Sequence, residues 1–161
     1  MSRTASPAPR SAIHSTFVID RTYPAAPARV FAAWADPTAK ARWFVGPEGW
    51  TAIERGLDFR VGGREILKGA LAGGGITFFD ARFEDIVPGE RIVYTYAMEH
   101  EGKKLSISLA TVELEPAGGG TRLVFTEQAC FLDGFVDGGG RERGTRAHLE
   151  RLATALQSQS S

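Results

Sequence analysis

A glutamate in a strand-like run is the side chain best placed to do chemistry in this sequence. In Leu123-Val124-Phe125-Thr126-Glu127 it has the parity of Leu123 and Phe125, so it should face the same apolar side. A carboxylate taken out of water needs a partner or a proton. The candidate partners are Arg82 on a neighbouring long strand, His148 on the last helix, and Tyr94 and Tyr96. The two tyrosines share a parity with Ile92 and Met98. On a concave face their hydroxyls would be polar points in an apolar wall, which is how pockets orient ligands. Glu127 then reads either as a ligand-orienting group or general acid/base, or as a structural hydrogen bond at a fraying strand end.

Other chemistries have less support. The histidines are His14, His100 and His148, and no His/Cys/Asp spacing converges as a metal site requires. No metal and no cofactor is expected. Cys130 has no basic sequence neighbour to lower its pKa and reads as a structural thiol after the last strand. Ser106 and Ser108 lie on a strand without an evident base. The glycine clusters lack the Gly-Lys-Ser/Thr of a phosphate loop and the strand-to-helix setting of a dinucleotide fingerprint. They read as hairpin turns.

Composition narrows the partners. Nineteen basic and nineteen acidic residues cancel. Nucleic acid and anionic membranes need a dense positive face, so neither is expected as a partner. The local cluster Arg141, Arg143 and Arg146 reads as a solvated helix face. At 161 residues the chain suits one domain. A single cysteine allows no internal disulfide and suits a reducing compartment. Residues 1–14 lack the apolar core of a secretory signal and read as a disordered leader, residues 158–161 as a disordered tail. The expected location is cytoplasmic, and a homodimer is compatible with everything above.

The elements that must position these residues follow in order. Thr16–Tyr23 reads as a strand stopped by Pro24. Pro27 opens a helix carrying Val30, Phe31 and Trp34, and Asp36-Pro37 caps and starts a second, ending at Trp43-Phe44. Six strands follow with short turns between them: Trp50–Arg55, Arg64–Ala70, Ile76–Val87, Arg91–Met98, Lys104–Glu115 and Thr121–Gln128. Such turns make an antiparallel meander. Phe83 and Ile86 break parity, as do Leu105, Ile107 and Leu109 against Val112 and Leu114, which predicts a β-bulge in each strand and a curled sheet. An irregular stretch over 131–140 precedes a helix from Arg141 to Leu156, whose stripe is Thr145, His148, Leu149, Leu152 and Leu156. One apolar stripe must be buried, and the concave side of the sheet is the available surface. A sheet gripping one helix over part of its length leaves a gap where a cavity forms. Trp43 and Phe44 belong to its expected wall, with Thr145, Leu149 and Leu152.

With these motifs in order, the chain resembles the SRPBCC helix-grip superfamily, which includes START lipid-transfer domains, polyketide cyclases and the birch-pollen-allergen type. Within it, the chain is most similar to the branch named for the activator of the Hsp-ninety chaperone's ATPase. The residues that carry the resemblance are Arg21-Thr22-Tyr23-Pro24-Ala25-Ala26-Pro27, Val30-Phe31-Ala32-Ala33-Trp34-Ala35-Asp36-Pro37 and Trp43-Phe44. Further on they are Asp58-Phe59-Arg60-Val61-Gly62-Gly63, Pro88-Gly89-Glu90-Arg91-Ile92-Val93-Tyr94-Thr95 and Gly119-Gly120-Thr121-Arg122-Leu123. They span nearly all of residues 15–157, the expected single domain. Many branch members carry Gly-Trp where this chain has Gly144-Thr145, and the smaller residue should enlarge one end of the cavity.

The resemblance implies an α+β helix-grip fold. Its curved antiparallel sheet wraps a long C-terminal helix, with two short helices after the first strand. It also implies a binding module for a small apolar or aromatic molecule. Two alternatives stand beside it. One is a cavity enzyme of the cyclase, hydrolase or dehydratase type using Glu127. The other is a chaperone partner, although eukaryotic activators carry a separate N-terminal docking domain where this chain has a short polar leader.

Overall fold

The computed structural model describes residues 10–158. Seven strands form one antiparallel sheet: β1 (Ala12–Tyr23), β2 (Thr51–Leu57), β3 (Arg64–Ala70), β4 (Ile76–Val87), β5 (Arg91–His100), β6 (Lys103–Ala117) and β7 (Gly120–Leu132). Their spatial order is β1-β7-β6-β5-β4-β3-β2, a six-strand meander whose last strand pairs with the first. Two short helices, α1 (Pro27–Ala35) and α2 (Pro37–Lys40), link β1 to β2. Asp36 ends α1 and caps α2, its carboxylate accepting from the Thr38 amide at 3.3 Å. The long helix α3 (Gly140–Gln157) closes the chain. Gly139 precedes it with φ 81°, a left-handed turn that suits glycine.

The helix lies in the concavity as its stripe demands. Leu149, Leu152 and Leu156 are buried. Tyr23 of β1 donates its hydroxyl hydrogen to the Leu149 carbonyl at 3.0 Å, and Arg29 of α1 donates to the Leu156 carbonyl. The C-terminal half of α3 is therefore tied to both the sheet edge and the helical V.

Several boundaries differ from the sequence expectation. β1 begins at Ala12, and Ala12–Ser15 pair with Leu132–Ala129, so β7 also runs further than expected. The two extensions have one cause, since each strand supplies the other's backbone partners. Part of the expected leader is thus strand, with His14 opposite Cys130, and Cys130 lies within β7 rather than after it. The rest of that leader, residues 1–9, and the tail beyond residue 158 lie outside the described residues.

The bulge expected in β4 is present, with the register shifting between Phe83 and Asp85. β6 carries one too, but at Leu105 near its start, which is left as the extra residue between the Met98–Ser106 and Glu99–Lys104 pairs, rather than between Leu109 and Val112. β6 pairs continuously with β7 from Ser106 to Ala117. Its inner face is Ser106, Ser108, Ala110, Val112 and Leu114, while Ile107 and Leu109 are exposed on the convex face. Apolar parity misled here because two inward positions are serines.

The core also buries an ion pair. Lys40 Nζ and Glu65 Oε1 are 2.6 Å apart, and both side chains are almost wholly enclosed. The ammonium sits 4.8 Å from the Phe44 ring centroid and 5.3 Å from that of Trp34, with Trp43, Phe83 and Tyr94 just beyond. Cation–π attraction thus adds to the pairing.

Two outcomes test this packing. Leu152→Ala removes a fully buried side chain and should lower the unfolding free energy by about 2–5 kcal/mol in urea titration. Lys40→Met strands the Glu65 carboxylate and should cost about 3–5 kcal/mol, while Lys40→Met/Glu65→Leu should recover most of that loss. A double variant no more stable than the single would contradict the pairing.

Candidate functional site

Glu127 sits on β7 opposite Phe17 of β1 and Ala110 of β6, and its carboxylate is buried on the concave face. Three donors converge on one of its oxygens. The Tyr96 hydroxyl donates to Oε2 at 2.7 Å and the Ser108 hydroxyl at 2.9 Å. The Arg141 guanidinium lies 3.3 Å from the same atom. Arg141 also donates to the Tyr96 oxygen at 2.9 Å and, through its other terminal nitrogen, to the Ser106 hydroxyl at 2.7 Å. The other carboxylate oxygen, Oε1, accepts no hydrogen bond among the described residues.

The cluster is built from both layers. Tyr96, Ser106, Ser108 and Glu127 come from three adjacent strands, and Arg141 comes from the first turn of α3. The Asp137 carboxylate accepts from the Arg141 amide at 2.9 Å and fixes that turn. The guanidinium spans the rings of Tyr96 and Phe131, 5.4 Å from each centroid. Burial works against its charge, but Tyr96 and Glu127 outweigh burial and leave its pKa raised. Burial raises the Tyr96 phenol and the Glu127 charge raises it further, so it stays protonated. Tyr94 is raised in the same way, first by burial and then by Tyr96 and Glu127. Its hydroxyl has no hydrogen-bond partner among the described residues.

Beside this cluster lies a cavity of about 720 Å³. Glu127, Tyr94 and Tyr96 line it from the sheet, and Thr145, His148 and Leu149 line it from α3. Trp43 and Phe44 line it from the segment after α2. The rest of the wall is mostly apolar and includes Trp34, Trp50, Phe79 and Phe125. Trp50 lies against Gly69 so closely that a Cβ there would stand 2.0 Å from the indole, so this wall requires glycine. The Trp34 indole nitrogen is buried without a hydrogen-bond partner.

Two predicted site residues fall elsewhere. Leu152 is core and does not line the cavity. Arg82 points out from the convex face between inward Ala81 and Phe83, so it cannot reach Glu127. Its place is taken by Arg141, which is not on the solvated helix face that the sequence pattern predicts. The signal was present, since Arg141 stands four residues before Thr145 on the same stripe, and arginine's charge masked it. Ser106 and Ser108 carry no such signal, because no base adjoins them in sequence. Lys40 and Glu65 do not line the cavity, although the Trp34, Trp43, Phe44 and Tyr94 rings around the ammonium do.

His148 does not meet Glu127 either. Its Nε2 donates to the Val45 carbonyl at 2.8 Å, which fixes the tautomer with Nδ1 as an acceptor. Arg151 donates to the same carbonyl at 3.0 Å. Burial lowers the His148 pKa to about 4, against the partial opposition of the Val45 bond and with help from Arg151 and Lys40. The unfolded chain therefore takes up a proton before the folded one as pH falls. The stability should be complete above about pH 6.5 and lost between there and about pH 4, by up to about 3 kcal/mol. Urea unfolding at stepped pH should show that slope, and His148→Gln, which keeps a donor for Val45, should flatten it.

Comparisons with known proteins agree with this fold. The family model described as Activator of Hsp90 ATPase homolog 1-like protein matches residues 24–157. A solved structure of a protein from Rhizobium leguminosarum is 46% identical, with a TM-score of 0.90, over 93% of this chain and 99% of that one. The Mll3558 protein of Rhizobium loti is 50% identical, with a TM-score of 0.83, over 90% and 99% of the respective chains. Protein CV1439 of Chromobacterium violaceum is 31% identical, with a TM-score of 0.72, over 88% and 96%. A search of curated proteins finds no match. No helix among the described residues is long and apolar enough to cross a membrane. A helix-grip sheet, a family match over most of the chain and these relatives together establish that the chain belongs to the Activator of Hsp90 ATPase homolog 1-like family of the SRPBCC superfamily.

Proposed function

We propose that the protein is a binding module for one small, largely apolar or aromatic molecule held between the sheet and α3. The observation that carries this reading is the cavity itself. Its volume of about 720 Å³ lies within the range of small-molecule sites, and its wall is aromatic with few polar points. The proposed site residues are Glu127, Tyr94, Tyr96, Arg141, Thr145 and His148.

The arrangement supports binding over turnover. Three donors already occupy Glu127 Oε2, so that oxygen is not free to take a substrate proton. Both tyrosines are held protonated, and His148 spends its N–H on Val45. A cavity enzyme needs a second titratable group converging on the reacting atom, and these residues are turned to other tasks. The chaperone reading draws on the family's description alone. Its location is proposed to be cytoplasmic, and a homodimer is compatible with the reading.

Native mass spectrometry of the gently purified protein should reveal a bound small molecule that leaves on denaturation. Thr145→Trp supplies the direct test, because it places an indole into the cavity from α3. It should weaken binding of a neutral solvatochromic dye by at least about tenfold. The melting temperature should stay within a few degrees. Unchanged dye affinity would place the dye outside the cavity and contradict the reading.

A further inference from the structure

Resting on that reading of the cavity, we infer that its ligand is an uncharged, flat aromatic molecule that presents an O–H or N–H donor to Glu127 Oε1.

The charge state of the site comes first. The Glu127 carboxylate is matched by Arg141, and the nearby Glu65 by Lys40. Asp137 and Arg151, the other charged residues of the wall, offset each other, and they are engaged by the Arg141 amide and by the Trp43 and Val45 carbonyls respectively, so the lining carries no net charge. An ionised ligand would lose its hydration to a wall with no net charge to compensate it. A carboxylate would also meet Oε1, an acceptor, head on. Arg141 cannot readily turn to greet it, because its terminal nitrogens already hold Tyr96, Ser106, Ser108 and Glu127.

Hydrogen-bond valence gives the donor. Tyr96, Ser108 and Arg141 all converge on Oε2, so Oε1 keeps its lone pairs for an incoming group. A ligand that seals Oε1 from water without bonding it leaves an unsatisfied acceptor, so a ligand donor there is strongly selected over a group of the same shape that lacks one. The Tyr94 hydroxyl, also without a partner, offers a second polar contact. The flat aromatic body follows from the walls. Phe79 and Tyr96 lie 4.7 Å apart by ring centroids, and Phe44 meets Phe79 at 5.0 Å and His148 at 5.1 Å. A planar ring system can add to this array of tilted and edge-on rings, whereas a branched aliphatic chain leaves ring faces bare.

Four probes of one shape test the inference: 4-hydroxystilbene, 4-methoxystilbene, stilbene-4-carboxylate and unsubstituted stilbene. Trp34, Trp43 and Trp50 line the cavity, so quenching of tryptophan emission reads binding directly. At pH 7 the phenol should bind about ten- to a hundredfold more tightly than the ether or the parent, as a hydrogen bond to a carboxylate implies. The carboxylate should bind worst. Equal affinities for phenol, ether and parent would overturn the donor requirement while leaving the cavity reading intact. A tightest-binding carboxylate would overturn the charge argument. Failure of all four to bind would overturn the cavity reading with it.

Glu127→Gln sharpens the test. Three donors oblige the amide oxygen to take the Oε2 place, which turns the amide N–H₂ toward Oε1's position. The preference should invert, with the phenol's advantage over the ether lost and the carboxylate gaining from the uncompensated Arg141. Circular dichroism and the melting curve establish that the variant is folded. Should it not fold, the four affinities of the unaltered protein decide alone.

Discussion

The contact on which the rest depends is the meeting of Arg141 with Glu127. A carboxylate on the concave face of β7 must be satisfied or it opposes folding. Tyr96 and Ser108 supply hydrogen bonds, and Arg141 supplies the charge. The guanidinium comes from the other layer, so satisfying Glu127 also fixes where α3 begins relative to the sheet. Without this tie, the N-terminal half of α3 would have little to hold it. Its buried leucines, Leu149, Leu152 and Leu156, all lie in the C-terminal half. Gly144 and Thr145, on the first half, leave open space instead. The helix is thus anchored by apolar contact at one end and by a polar cluster at the other, with the cavity alongside.

A second buried ion pair has a complementary role in the helical V. Lys40, at the end of α2, reaches Glu65 on β3 through a ring of aromatic side chains. Isolated buried pairs add little net stability, since desolvation opposes the Coulomb gain. Their geometry is nonetheless demanding, and here it sets the approach of Trp34, Trp43 and Phe44. These three rings then form cavity wall. The loop beyond them is pinned by His148 and Arg151, which both donate to the Val45 carbonyl.

How much of this was legible in the sequence depended on whether apolar periodicity carried the information. Strands Arg64–Ala70 and Ile76–Val87 could be read residue for residue, and so could the bulge after Phe83, because Phe79, Ala81 and Phe83 against Ile86 make a clean parity fault. Glu127 could be placed inside for the same reason. The polar cluster around it could not be read. Ser106 and Ser108 occupy inward positions while Ile107 and Leu109 face out, so the hydropathy of β6 points the wrong way. Arg141 continues the stripe of α3 but carries a charge, and a charge on a stripe reads as its boundary. Arg82 lies near in strand order, yet its parity, opposite to that of Ala81 and Phe83, turns it outward. Pairing between polar groups is a property of the assembled layers, and no periodicity in one strand records it.

These two polar anchors also explain how the chain keeps a hollow between its layers. An apolar gap tends to close, because its lining loses dispersion contacts and nearby side chains relax into the space. Closing this one would bring α3 down onto β5 and β6. That motion would push Arg141 off the carboxylate it neutralises and drive His148 away from Val45. Each loss would leave a buried polar group unpaired, at a cost comparable to what collapse would gain. The aromatic wall resists from the other side. Trp34 packs edge-on against Trp43 at 4.7 Å, and Phe44 against Phe79 at 5.0 Å, so neither pair can fold inward without giving up its neighbour. The cavity is therefore held open by directional contacts around its rim rather than by any shortage of apolar residues to fill it. A bound planar molecule would add contacts to both walls without disturbing any of them.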